Sequence, residues 1–482
     1  MQTCRTWWLI LAAAASLTGP WPLSAQQTWG TWKGKGGQTQ LRERRGPGER
    51  PQGRRRPSSE RSADRARQLG VIKNTEKAFE GYTLIAPKKC AKKTYLIRND
   101  GQIVNQWESK YLPGQSAYLL PDGHLLRAAD LGREGVPGAG PNRGRKLLGG
   151  GEGGGIQEFD WDGKLVWEYF WSNDNYLMHH DIQPLPNGNV LALVVEKKLP
   201  AEMIQAGFKP DKVKGHMVPD FVAEIEKTGP KSGRVVWEWH VWDHLAQDID
   251  KAKDNYIENA ADHPGRIRAQ TQGRGIKDFW NHANSVDYNE ELDQVIVSAR
   301  GQGEVWVIDH NTTTEEAAGP KGDLLYRWGN PAIYGRGKAG DTQWGGQHDA
   351  QWIDEGCPGA GNILMFNNGQ QKGFSSIVEI VTPLDKDNRY GLDTNGRWGP
   401  DKPVWTYTDP DPKTFYSPVI SGCQRLPNGN TLICAGVHGT LFEVTPGGET
   451  VWEYVNAVSD SGPLKQGDAV PYDVRGHAMT SI

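Results

Sequence analysis

Pro184-Leu185-Pro186-Asn187-Gly188-Asn189-Val190-Leu191 reads as the end of one strand, a tight turn and the start of the next. Glycine after Asn supplies the positive φ that a short hairpin demands. The signature returns as Tyr118-Leu119-Leu120-Pro121-Asp122-Gly123-His124-Leu125-Leu126 and as Arg425-Leu426-Pro427-Asn428-Gly429-Asn430-Thr431-Leu432. A second signature, a polar turn followed by a tryptophan strand, alternates with it. Its clearest copies are Asp162-Gly163-Lys164-Leu165-Val166-Trp167-Glu168-Tyr169, Gly233-Arg234-Val235-Val236-Trp237-Glu238-Trp239 and Gly448-Glu449-Thr450-Val451-Trp452-Glu453-Tyr454. Divergent copies lie at 100–107, 323–328 and 403–407, which makes six. The first signature recurs five times when the stretches after His282 and His348 are included. Two signatures in constant order predict an all-β chain, a six-bladed β-propeller with loop and short helical insertions. Strands near 82–107 would complete a blade begun elsewhere, with 474–479 expected to supply the missing strand.

Outward from the repeats, three segments follow: 1–25, 26–80 and 81–482, the last being the propeller. Arg5, an apolar run from Trp7 to Leu17 and Leu23-Ser24-Ala25 form the pattern of an export signal. The run is short for a membrane anchor, and no later segment is apolar for long enough to span. Residues 26–80 are rich in Gly, Arg, Glu and Gln around Arg54-Arg55-Arg56, too polar to repay ordering, and read as a disordered basic linker. The 482 residues carry 55 Lys and Arg against 58 Asp and Glu. A net charge of −3 gives no reason to expect nucleic acid as a partner. The expected location is outside the cytoplasm, periplasmic or secreted. Oligomeric state is left open.

Beyond Cys4 the chain has Cys90, Cys357, Cys423 and Cys434. Cys423 and Cys434 are symmetric about Asn428-Gly429, so a two-residue hairpin would set them opposite each other, as a cross-strand disulfide or as two buried thiols. No cysteine spacing suggests zinc. Residues 132–155 form a glycine-rich loop without the Lys-Ser/Thr of a phosphate loop. Residues 242–270 are expected to be partly helical and to decorate one face.

His180 in His180-Asp181-Ile182-Gln183, His282 in His282-Ala283-Asn284-Ser285 and His348 in His348-Asp349-Ala350-Gln351 each open an apolar run that leads to a turn. Stacked repeats would bring them together near the axis. Asn284 shares a strand face with His282, and Arg300 ends the next apolar strand, which returns toward His282. Imidazoles, an amide and a guanidinium suit the handling of a small oxyanion: His as nucleophile and proton carrier, Arg as a fork of donors to sulfate or phosphate oxygens. Three histidines also raise the question of a metal, against which Arg300 argues because it would repel a cation. A propeller that binds a ligand or a protein without turnover, or one that carries a redox cofactor, remains open at this level.

Trp280-Asn281-His282-Ala283-Asn284-Ser285-Val286-Asp287-Tyr288 through Ser298-Ala299-Arg300, with Gly346-Gln347-His348-Asp349-Ala350 and His179-His180-Asp181, resembles the bacterial arylsulfotransferases that do not use PAPS. The resemblance covers the chain from about Tyr82 onward. It implies a six-bladed propeller and ping-pong transfer of a sulfuryl group from an aryl sulfate to a phenol, with no cofactor and no metal. By the same resemblance His348 is the nucleophile, Arg300 binds the sulfuryl oxygens and His282 acts on the phenolic oxygen. Asn284 and His180 are further hydrogen-bonding partners, and the adjacent His179 is an alternative to His180. Enteric members of the family have a folded N-terminal β domain and a closely spaced cysteine pair, neither of which this sequence offers.

Overall fold

The hairpin at Asn428 shows how the repeat becomes a blade. Leu426 N–H donates to Asn430 O at 2.8 Å and Gly429 N–H to Leu426 O at 2.9 Å, with Gly429 at φ 88°. The loop is therefore three residues long and closes with a left-handed glycine. It joins Gly422–Arg425 to Thr431–Ala435, and the odd register pairs Cys423 with Ile433 and Gly422 with Cys434. Cys423 and Cys434 thus point to opposite faces of the sheet, which rules out the cross-strand disulfide and leaves both as buried free thiols.

In this computed structural model, which describes residues 25–27, 69–88, 91–132, 135, 144, 147–148, 151, 153–269, 279–459 and 462–464, such hairpins build six antiparallel sheets. The first blade holds Tyr82–Ile85, Lys93–Arg98 and Ile103–Glu108, with Ala25–Gln27 paired in parallel to Tyr82–Ile85. The second is Leu112–Leu119, Leu125–Asp130, Gly154–Phe159 and Leu165–Phe170. The third is Tyr176–Pro184, Val190–Glu196, Asp220–Gly229 and Ser232–His240. The fourth is Ala283–Asn289, Gln294–Ala299, Glu304–Asp309 and Tyr326–Trp328. The fifth is His348–Trp352, Ile363–Asn367, Ser376–Ile380 and Trp405–Tyr407. The sixth is Gly422–Arg425, Thr431–Ala435, Thr440–Val444 and Thr450–Val455, to which Gly70–Asn74 adds a fifth, outermost strand. The chain is a six-bladed β-propeller.

Two expectations need correction. Gly70–Asn74 is a strand, so the blades begin before residue 81; its sequence resembles linker because an outermost strand is held by backbone pairing and needs no apolar pattern. The place beside Tyr82–Ile85 is taken by Ala25–Gln27, and residues 474–479 lie outside the described residues, as does nearly all of 1–68. The 242–270 insertion is partly helical, as expected: Val241–His244 and Ala260–Asp262 are short 3-10 helices, and Leu245–Ala246 pairs in parallel with Ile267–Arg268.

The core lies between blades. Six apolar clusters each join two neighbouring sheets, and one of them joins Tyr95 and Ile97 of the first blade to Leu441 and Trp452 of the sixth. The outer-strand tryptophans tie these interfaces down. Trp107 donates its indole N–H to Asp160 O (2.8 Å), Trp167 to Ser232 O (3.0 Å) and Trp237 to Thr312 Oγ1 (3.2 Å). Trp328 donates to Pro400 O (2.7 Å), Trp405 to Pro446 O (3.0 Å) and Trp452 to Asn99 O (2.9 Å). Every bond reaches the following blade, and the sixth reaches the first. Buried indoles seek such partners, which explains why tryptophan recurs in this strand.

Candidate functional site

Near the axis the innermost strands are interrupted by bulges. Residues 179–181 face Leu193 alone, 114–116 face Ala128, 284–285 face Ser298, and 349–350 face Met365. Extra residues turn side chains off the sheet and toward the channel. The backbone is held in an uncommon conformation there, with positive φ at His180, His282, Asp349, Ile420 and Ser421. Strain of this kind persists only where neighbours over-determine it.

The neighbours are a ring of side-chain bonds between adjacent blades. Ser116 Oγ accepts from Ile182 N–H (3.3 Å), Asp181 Oδ2 from Val286 N–H (2.9 Å), Ser285 Oγ from Ala350 N–H (2.9 Å) and Asp349 Oδ2 from Cys423 N–H (2.7 Å). The residues just before these four, Gln115, His180, Asn284 and His348, are therefore structural equivalents. Asn284, not His282, is the counterpart of His180 and His348. Aligning on histidine hid this, because what defines the position is the Asp or Ser that bonds the next blade.

His180, Asn284 and His348 line a small pocket with Gln115, Asp181, Ser285, Asp349, Ile420 and Ser421. His282 lies beside it: its ring centroid is 5.1 Å from that of His180, and Phe279 stacks on it at 4.2 Å while standing 6.0 Å from the His180 ring. Arg300 follows Ala299, which pairs with Ala283, and its charge reaches His348. His179 does not face the cavity. Its side chain is fully buried behind His180, with Nδ1 2.7 Å from His180 Nδ1 and Nε2 3.0 Å from Asp220 Oδ1.

His348 is held at three points. Its Nδ1 lies 2.6 Å from Asn368 Oδ1 and 3.0 Å from Gly346 O, both acceptors, so Nδ1 carries the proton. Asn368 is fixed the right way round because its Nδ2 donates to Ser417 O and Ile420 O. Nε2 keeps its lone pair and accepts from Ile420 N–H at 3.2 Å. Burial, helped by the Arg300 charge, pushes this imidazole down to about 3, so it is neutral at ordinary pH. His180 is also driven well below the usual histidine range by burial, then by His179, His282, His348 and Lys88. Burial raises Asp349 to about 8 and Asp287 to about 7, so neither is a fully ionised carboxylate at neutral pH.

Several functional positions carried no sequence signal. Asn368 and Ile420 act through the tautomer and the backbone, and Phe279 lies just past a glycine- and arginine-rich stretch without periodicity. Gly151 is the clearest: at φ 73°, a Cβ there would stand 2.2 Å from His180 Cε1. Only its place in the glycine-rich loop hinted at a close approach. Trp328 and Trp344 pack together at 4.7 Å in the core between the fourth and fifth blades. His438 is peripheral, bonded to Tyr416 O. Among the described residues no cluster of His, Cys, Asp or Glu has the arrangement of a metal site, and no helix is long and apolar enough to cross a membrane.

The chain is similar to an arylsulfate sulfotransferase AssT from Lelliottia amnigena, 24% identical over 319 residues, which are 60% of this chain and 50% of that one. A second AssT, from Escherichia coli O6:H1, is 24% identical over 324 residues, again 60% and 50%. The chain thus spans about half the length of the curated relatives it matches. Among solved structures, a protein of unknown function from Bacteroides caccae superposes with a TM-score of 0.41 at 15% identity, covering 77% of this chain and 92% of that one. The family model for arylsulfotransferase (ASST) matches residues 71–462, most of the chain and all six blades beyond Ala25–Gln27. The chain belongs to the arylsulfotransferase family.

Proposed function

We propose that this protein transfers a sulfuryl group from an aryl sulfate to a phenol in two steps through a sulfohistidine at His348. The observation that carries the reading is the state of His348: neutral, with its proton held on Nδ1 by Asn368 and Gly346 and its Nε2 lone pair at the cavity. Nε2 attacks sulfur and the S–O bond to the aryl oxygen breaks, its electron pair leaving with that oxygen. The acceptor oxygen then attacks sulfur, and the N–S electron pair returns to Nε2. Arg300 is assigned the sulfuryl oxygens, and Ile420 N–H, already beside Nε2, becomes a second donor to them. His282 acts at the phenolic oxygen, with Asn284 and His180 as hydrogen-bonding neighbours. The reaction draws on no metal or cofactor. The leader pattern at 1–25 supports an exported location.

A second reading has one observation in its favour: Ile420 N–H occupies the Nε2 lone pair, as suits a histidine that only binds. Incubation with 4-nitrophenyl sulfate, with and without phenol, separates the two. Nitrophenol release that requires phenol and disappears in His348→Asn is the expected result. Release without phenol would indicate hydrolysis instead, and no release across a panel of aryl sulfates would favour a binding propeller.

A further inference from the structure

Transfer in two steps has a proton problem. The departing phenolate needs a proton in the first step, and the acceptor phenol must lose one in the second. Between turnovers the free protein must therefore hold a proton that the sulfo-protein has given away. The residues at the cavity are poor holders. His348 has its Nδ1 proton committed to Asn368 and Gly346, and its Nε2 is the atom that bonds sulfur. His180 is buried, and His179, His282, His348 and Lys88 all disfavour an imidazolium there.

Behind His180 the surroundings change sign. His179 Nδ1 is 2.7 Å from His180 Nδ1, with the two rings nearly perpendicular at 84°. His179 Nε2 is 3.0 Å from Asp220 Oδ1, both side chains almost fully buried. Neither of those two buried atoms has a well-aligned hydrogen bond among the described residues; what joins them is their close ion-pair contact. Asp220 is anchored through its other oxygen, which accepts from Ala283 N–H at 3.1 Å beside His282. Two imidazoles joined Nδ1 to Nδ1 share one proton between them. A carboxylate at the far end makes the outer ring the better place for positive charge.

We propose that Asp220, His179 and His180 form a proton store that serves the sulfuryl transfer, a role that rests on the reaction assigned above. In the free protein His179 is the imidazolium, paired with the Asp220 carboxylate, and His180 carries its proton on Nε2. In the first step His282 holds the leaving aryl oxygen and the neighbouring His180 Nε2–H gives it the proton, while His179 passes its Nδ1 proton to His180 Nδ1. Both rings are then neutral. In the second step the acceptor hydroxyl proton goes to His180 Nε2, and His180 Nδ1–H returns its proton to His179. One proton leaves and one comes back, so the cycle balances. His179 and Asp220 touch no substrate; they are positioning residues that act through His180.

The test uses the first step alone, measured as the rapid release of phenol from donors whose phenols range from acidic to weakly acidic. Asp220→Asn keeps an acceptor for Ala283 N–H but removes the charge. A loss of about a hundredfold is expected with weakly acidic leaving phenols, and a much smaller loss with 4-nitrophenol, whose phenolate departs with little help. His179→Gln is expected to show the same steepened dependence on leaving-group acidity. Equal losses across all donors in both variants, with wild type active, would overturn the store and leave the sulfohistidine reading standing. Absence of transfer by the wild-type protein would overturn the reaction itself.

Discussion

At the scale of single residues, the site is governed by which nitrogen holds a proton. Asn368→Ala removes the acceptor 2.6 Å from His348 Nδ1 and frees the ring to rotate. A fall in kcat of tenfold or more is expected, together with a stability loss of about 1–3 kcal/mol because Ser417 O and Ile420 O lose their donor, measured by transfer kinetics beside a melting curve. The depressed His348 also has a signature in pH. A group lowered from 6.5 to about 3 leaves the unfolded chain binding more protons between those values. Its contribution is intact above 6.5 and is lost as pH falls toward 3, by at most ~1.4 kcal/mol per pH unit. Asp349, raised from 3.8 to about 8, works oppositely: its contribution is complete below 3.8 and is lost as pH rises through 8. The clean readout is therefore a difference, the stability of wild type minus His348→Gln, which should shrink as pH falls from 6.5. The histidines and Arg300 stood out in sequence because side-chain type reveals chemistry. Asn368 and Ile420 did not, since what they contribute is a direction.

At the scale of elements, the bulged inner strand is the working part. Its side chains were visible in sequence as His-Asp pairs, but their alignment was not, because a bulge inserts residues without leaving a compositional mark. In sequence His282 therefore looks level with His180, whereas Asn284 holds the place. The bonds between strands make a prediction here. Asp181 accepts from Ile182 N–H and from Val286 N–H of the next blade, and Asp181→Ala leaves both N–H groups buried without that acceptor. A loss of about 2–4 kcal/mol is expected by denaturant unfolding. The loop over the site makes another. Gly151→Ala places a methyl group against the His180 ring at a positive φ, so transfer activity should drop by an order of magnitude or more while far-UV circular dichroism is unchanged.

At the scale of the whole molecule, six copies of one tryptophan strand made the number of blades legible, since each indole must reach the next blade. How the ring closes was not legible. Gly70–Asn74 has no apolar alternation because it lies at the outer edge, where its backbone alone is needed. Trp452 bridges the same junction. Trp452→Phe removes its bond to Asn99 and should cost about 1 kcal/mol, read from the unfolding midpoint. Truncation through Asn74 should cost more, since it removes both Gly70–Asn74 from the sixth blade and Ala25–Gln27 from the first.

That junction also governs how the molecule can be made. Lys73 and Thr450, joined by a hydrogen bond, are 377 residues apart. A strand synthesised early must wait, unpaired, until nearly all the other blades exist. The loop-closure entropy of that last event is among the largest the chain meets. Until it happens the edge of the sixth blade is an open template for another strand. Moving the chain ends to the Asn187-Gly188 turn by circular permutation would make this pairing local and shift the long-range closure to the third blade.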